Sequence, residues 1–185
     1  MNGPKSKEKY EIDYGILDWK NINTLARKTT IEPRIREIQY KIIHRYLPTN
    51  KLLKIYGIKE SNYCTYCHIN IETLEHLLWD CIRSKTLWVQ FKEWWDEKIN
   101  IIFPTLTCET VLFGSFLNLP GESIYNHFLL LIKSYIFRNK DTIFLYNNVL
   151  NIFEKTSRME KYIAENGNNV IKYQEKWGPY LNIKV

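Results

Sequence analysis

The chain has 185 residues, 45% of them apolar and 15% aromatic, which is enough to bury a core as one domain or two intimate subdomains and excludes a disordered tail. Its formal charge of +6 is unevenly spread: residues 1–60 carry 13 basic and 7 acidic side chains, residues 61–120 carry 4 and 7, and residues 121–185 carry 9 and 6. No run of about 18 uncharged apolar residues occurs, and the longest candidate, Phe128 to Ile132, stops at Lys133, which argues against a membrane-spanning helix.

Helical periodicity dominates, and no hairpin signal stands out. Residues 1–15 read as a mobile, lysine-rich lead without an apolar signal segment, and residues 1–30 as a partly disordered N-terminal region. Pro33 suits the first turn of a helix whose Ile31, Ile35, Ile38, Ile42 and Tyr46 fall on one face, with Arg34, Lys41 and Arg45 as a parallel basic stripe. Pro48 is expected to end it. Thr49 can cap a short second helix through Tyr56, with Gly57 as its left-handed stop.

Cys64, Cys67, His76 and Cys81 follow with the spacing C-x2-C-x8-H-x4-C, which suits four tetrahedral ligands of one zinc ion. A tight turn directs two sulfurs at one centre, and Thr73 can cap a short helix bearing His76. With all four positions filled by protein, no place remains for an activated water, so such a zinc is structural. Cys64 to His68 also fits the C-x-x-C-H pattern of haem attachment, but that chemistry goes with export. A dithiol redox pair would need flanking strands and helices that the pattern lacks. Chance proximity of buried cysteines would need no spacing at all. His68 could replace His76 as third ligand, though His76 has the better loop length to Cys81. Cys108 reads as a small core residue. The site carries one net negative charge, which Arg83, Lys85 or backbone amides can balance.

Ser84 opens a longer helix in which Leu87, Trp88, Phe91, Trp94, Trp95 and Ile102 share one arc, a core or docking surface, while Glu93, Asp96 and Glu97 face water. Gly114, Pro120 and Gly121 punctuate a loop. The segment from Glu122 to Arg138 is apolar almost all round and is expected at the centre. One or two further helices fill residues 141–166 and 169–177. The reading is a mostly α fold, with a basic helix and zinc-stapled subdomain over residues 31–100 and a helical bundle over residues 101–185.

The stretch from Arg34 to Trp88 resembles the zinc-binding region that follows the polymerase in reverse transcriptases of non-LTR (LINE-type) retrotransposons. Its shared features are His44-Arg45, Thr49, Leu52, Gly57, the C-x-x-C, Glu72-Thr73-x-x-His76, Cys81 and Trp88, and the likeness covers roughly residues 34 to 95. More weakly, FGSF, NHFLLLIKSYIF and MEKYIAEN are similar to the C-terminal tails of such polyproteins. The resemblance implies zinc on Cys64, Cys67, His76 and Cys81, and a grip on template RNA or target DNA. No Y-x-D-D aspartate pair is present for polymerase magnesium, nor a nuclease-like Pro-Asp with spaced acid and lysine, so no catalytic activity is expected. Arg34, Arg36, Lys41, Arg45, Lys51 and Lys54 would meet phosphates, and Tyr63 and Tyr66 would stack on bases, of RNA or single-stranded DNA. Two alternatives are a zinc-stapled module docking on a polymerase core through Trp94 and Trp95, favoured by the acidic middle third, and a decayed retroelement fragment. Reduced cysteines go with an intracellular setting, nuclear or cytoplasmic, and nuclear residence is what the resemblance implies.

Overall fold

The structure, a computed structural model, describes residues 6–99, 101–102 and 105–182. It is 67% helical. Its helices are α1 (Lys7–Tyr14), α2 (Trp19–Thr29), α3 (Pro33–Ile43), α4 (Asn50–Ile55), α5 (Ile82–Lys98), α6 (Cys108–Phe113), α7 (Glu122–Arg138), α8 (Tyr146–Asn166) and α9 (Val170–Leu181), with a π-helical turn at His76–Asp80. Among the described residues, β pairing is limited to one isolated bridge between Tyr63 and Ile71.

Helix α7 is the axis of the fold, as its all-round apolarity predicts. Every residue from Ile124 to Ile136 is buried, and α2, α3, α8, α9 and the π turn pack around it. The arc of α5 resolves as core: Leu87, Trp88, Phe91 and Trp95 are buried. Trp94 packs its ring 4.9 Å from Phe128. Of the arc read as core or docking surface, Trp95 is buried and Trp94 is partly buried against the core. Ile102 lies beyond α5 and is exposed. Helices α8 and α9 close the far side, where Phe153 stacks on Phe128 at 3.6 Å. The buried cluster runs without a break from Tyr10 to Tyr180, so residues 101–185 share their core with the zinc-bearing segment.

Residues 7–29 depart from the lead expected there. Helix α1 is highly polar and buries one side chain, Tyr10. The Tyr10 hydroxyl donates to the Ile42 carbonyl at 2.6 Å and Ser6 Oγ to the Ile43 carbonyl at 2.5 Å. Those carbonyls belong to the last turn of α3, where intrahelical donors run out; the Ile42 carbonyl also accepts from the Arg45 amide at 3.0 Å, and α1 adds to the capping of α3. Helix α2 carries a strongly amphipathic stripe of Trp19, Ile22, Leu25 and Ala26, and Asp18 caps its start by accepting from the Asn21 amide at 3.1 Å.

Helix α3 begins at Pro33 as predicted but stops at Ile43, before Pro48. Arg45 adopts a positive φ of 55°, which turns the chain and leaves Tyr46 half exposed rather than on the buried face. Ile31 precedes the helix and is also partly exposed. The short helix α4 follows the prediction more closely. Thr49 Oγ accepts from the Leu52 amide at 3.4 Å, and Gly57 supplies a φ of 70° just past its end.

One interior group is unusual. Lys133 of α7 is 1% exposed, and its Nζ donates to Gln39 Oε1 at 2.6 Å and to the Leu112 carbonyl at 3.1 Å, both neutral acceptors. Burial pushes its pKa down to about 7, against about 10.4 in an unfolded chain. Between those values the unfolded chain holds the extra proton, so this lysine makes stability rise with pH by at most about 1.4 kcal/mol per unit, and adds no slope below about pH 7. The substitution Lys133→Met is expected to abolish its share of that rise. Urea unfolding of both proteins from pH 7 to pH 9.5 checks this, and identical slopes would refute a desolvated amine.

Candidate metal centre and the basic surface beside it

The metal site rests on a short loop and the π turn. Residues 62–72 fold back on themselves: the Glu72 amide donates to the Asn62 carbonyl and the Cys64 amide to the Asn70 carbonyl, both at 2.8 Å. His68 takes a φ of 55° and its amide donates to the Cys64 carbonyl, closing the turn that aims both sulfurs inward. Thr73 caps the next segment, its Oγ accepting from the His76 amide at 3.0 Å, as predicted. The Cys81 amide then reaches the His76 carbonyl at 2.8 Å, an i to i−5 bond that widens the turn.

Widening a helix disturbs its normal acceptor pairing, and here two side chains restore it. Ser84 Oγ donates to the Leu77 carbonyl at 2.6 Å and Trp88 Nε1 to the Leu78 carbonyl at 2.7 Å. Trp88 thus fixes the backbone that carries His76, beyond filling the core.

The sulfurs of Cys64, Cys67 and Cys81 and one ring nitrogen of His76 all lie within 4.8 Å of one another. Cys64 Sγ and Cys81 Sγ are 3.8 Å apart, and Cys67 Sγ and His76 Nε2 are 3.4 Å apart. Tetrahedral zinc with bonds of about 2.3 Å to sulfur and about 2.0 Å to nitrogen requires separations of roughly 3.8 Å and 3.5 Å. The donor set therefore fits one closed, structural zinc site. His68 is exposed and outside the cluster. Cys108 lies apart from it, half-buried, with Sγ 3.3 Å from the Tyr14 hydroxyl.

Backbone amides favour the ionised sulfurs. Cys81 is the N-cap residue of α5, so its sulfur stands where an aspartate often caps a helix. Without metal, the hydrogen bond with Cys64 lowers the Cys81 pKa to about 7, burial opposes this, and the amides of Arg83 and Ser84 lower it further. The same bond, with burial, pushes Cys64 up to about 12. The Tyr66 amide also points at Cys64 Sγ, at 3.4 Å. These amides, more than the exposed Lys85 ammonium, meet the net negative charge of a three-thiolate site. Arg83 lies with its guanidinium 5.1 Å from the centre of the Tyr66 ring.

Glu72 holds the loop to the rest of the protein. Its carboxylate is 0% exposed and accepts from the Asn50 amide at 2.8 Å, the Thr65 amide at 3.4 Å and Lys140 Nζ at 3.4 Å. One buried charge thus joins the start of α4, the cysteine turn and the segment after α7. Asn50 adds a second tie, donating to the Tyr63 carbonyl at 2.7 Å and to Thr65 Oγ1 at 3.0 Å. Glu72 stood out in the sequence as part of a shared motif, but nothing local in the sequence named Asn50 or Lys140 as its partners.

The eight residues expected to meet nucleic acid divide in two. Arg36 donates from Nε to the Thr30 carbonyl at 2.6 Å, capping the end of α2. Arg45 pairs with Glu75 at 2.7 Å and Asp13 at 3.2 Å and lies 4.2 Å over the Tyr10 ring. Tyr66 is buried, its hydroxyl donating to the Asn139 carbonyl and its ring set edge-on to Phe144 at 4.6 Å. These three are structural side chains, so the phosphate and base contacts expected of them are corrected. Lys41 forms a surface pair with Glu37 at 2.7 Å. Arg34, Lys51, Lys54 and Tyr63 are exposed.

Residues 7–88 match the family described as zinc-binding in reverse transcriptase. The matched stretch takes in α1 and α2 as well as the metal cluster and Trp88. The chain matches no curated protein.

Cys64→Ser or Cys81→Ser is expected to release the metal and lower the melting temperature, since structural zinc supplies about 10–16 kcal/mol of apparent binding energy. Retained zinc with an unchanged melting curve in both variants would overturn the ligand assignment. Glu72→Gln keeps the shape but removes the charge that Lys140 and two amides share. Competition with a chromophoric chelator should register about 10-fold to 100-fold weaker zinc binding, the range for lost outer-shell partners.

Proposed function

We propose that this chain is a non-catalytic, nucleic-acid-binding accessory module of the kind that follows a retrotransposon reverse transcriptase, with zinc as scaffold. The observation carrying this reading is the exposed group of Lys51, Lys54 and Tyr63 beside the metal turn. The two lysines project from α4, which Asn50 ties to the Tyr63 carbonyl and to Thr65 between the cysteines. Ammonium groups there can neutralise phosphates while the half-exposed Tyr63 ring offers a face to an unpaired base. Arg34, exposed at the start of α3, adds a further positive charge, and Lys41 adds another once its weak surface pair with Glu37 exchanges for phosphate. The preferred strand is single-stranded RNA or DNA, and the reduced thiols of the site suit a nuclear or cytoplasmic setting.

A second reading, docking to a polymerase core, has a specific observation in its favour. Ile55, Ile58, Ile69 and Ile71 are 44–76% exposed in and around the same turn, forming apolar surface that a protein partner could cover.

Fluorescence anisotropy of the zinc-loaded, reduced protein with labelled single-stranded RNA, single-stranded DNA and duplex DNA at two salt concentrations separates the two. Single-strand binding should weaken with salt with a logarithmic slope of about 0.7 per phosphate contacted. The triple variant Arg34→Ala, Lys51→Ala, Lys54→Ala should lower that slope by about 2. No binding at low salt would refute the nucleic-acid reading and leave docking.

A further inference from the structure

Tyr40, His44 and Tyr46 form a row of rings on the outer side of the α3 end. The Tyr40 and His44 centroids are 4.3 Å apart with planes at 39°, and those of His44 and Tyr46 are 6.0 Å apart at 21°. Tyr40 is 57% and Tyr46 50% exposed. The core of this helix is built by Ile35, Ile38, Ile42 and Ile43 on its other side, so the three rings contribute little to interior packing. Two features hold them in register. Tyr40 and His44 are one helical turn apart, and the positive φ of Arg45 swings Tyr46 back beside His44. Arg45 is itself locked by Asp13, Glu75 and Tyr10. Partial burial lowers the His44 pKa, which favours the neutral ring.

The charges around the row favour a polyanion. Lys41 follows Tyr40 on α3 and pairs with Glu37, the acid on this side of the helix, and Arg138, exposed at the end of α7, lies within electrostatic reach of the same Glu37, while Asp13 and Glu75 are taken up by Arg45. A prearranged aromatic surface rimmed by cations is the pattern that binds unpaired bases: the rings take the base faces and the cations take the backbone.

Resting on the nucleic-acid reading above, we infer that the Tyr40, His44 and Tyr46 rings, with Lys41 and Arg138 beside them, are a base-stacking site for single-stranded nucleic acid, separate from the metal turn. Stacking needs ring faces and not hydroxyls, so the site takes unpaired bases of any sequence and rejects the interior of a duplex.

The test compares wild type, Tyr40→Ala/Tyr46→Ala and Tyr40→Phe/Tyr46→Phe, all zinc-loaded, by anisotropy with fluorescein-labelled oligo(dT), oligo(U) and a blunt duplex. The alanine pair should weaken oligo(dT) and oligo(U) binding by about 10-fold to 100-fold, the loss of one or two stacked bases. It should leave duplex binding, zinc content and the melting curve unchanged. The phenylalanine pair should bind single strands as wild type does. Single-strand affinity within about 2-fold of wild type in the alanine pair overturns the site, and if Arg34→Ala, Lys51→Ala, Lys54→Ala still weakens binding, the broader reading survives. An equal loss on duplex points to electrostatics or unfolding and also overturns it. A wild type that binds no strand ends both.

Discussion

Three thiols and an imidazole, with donor atoms within 4.8 Å of one another, can hold that arrangement as ligands only around a cation. As thiolates they would repel; as thiols they would leave weak donors and acceptors in a largely buried place. Zinc resolves both problems at once, and the surrounding backbone is shaped to that end. The chain reverses sharply at the first cysteine pair, widens by one residue at His76, and starts a long helix directly after Cys81. Such local geometry is poor helix or loop by ordinary standards, and it is stable where the metal holds it and where side chains from elsewhere complete its hydrogen bonds.

Completion at a distance recurs across the molecule. The end of α3 is closed by Tyr10 and Ser6, the end of α2 by Arg36, and the π turn by Ser84 and Trp88. In each case a carbonyl that a regular helix cannot satisfy accepts from a residue 6 to 37 positions away. Helix ends are the weakest points of a bundle, and here they join otherwise separate helices. This accounts for the engagement of Arg36 within the protein rather than at its surface.

Much of this was legible in the sequence because it rests on local spacing. The metal ligands, the Thr49 and Thr73 caps, the left-handed Gly57 and the buried α7 all follow from patterns within one or two helical turns. What the pattern misread depends on partners far along the chain. Helix α1 looks like a mobile lead because its composition is polar, and its single buried anchor, Tyr10, has meaning only against Ile42. The basic group of Arg34, Arg36, Lys41 and Arg45, on α3 and just past its end, read as a single phosphate-binding surface. Tertiary contacts divide it, with Arg36 turned to α2, Arg45 to Asp13 and Glu75, and Arg34 left outside. The tyrosines near the cysteines illustrate the same limit: Tyr63 faces out and Tyr66 in, because only Tyr66 meets Phe144 and Asn139.

The reach of Lys140 to Glu72 carries an evolutionary consequence. The recognisable zinc-binding region ends at residue 88, yet the carboxylate that braces its cysteine turn is neutralised by a lysine 52 positions beyond that boundary, and Tyr66 is anchored on the neighbouring Asn139. A recombination event that exchanged the front of this chain for a homologous front, while keeping its own back, would place a buried acid opposite an unmatched neighbour. Such hybrids start with an electrostatic debt at the metal turn. At this contact the two halves depend on one another, although the family match covers only the first of them.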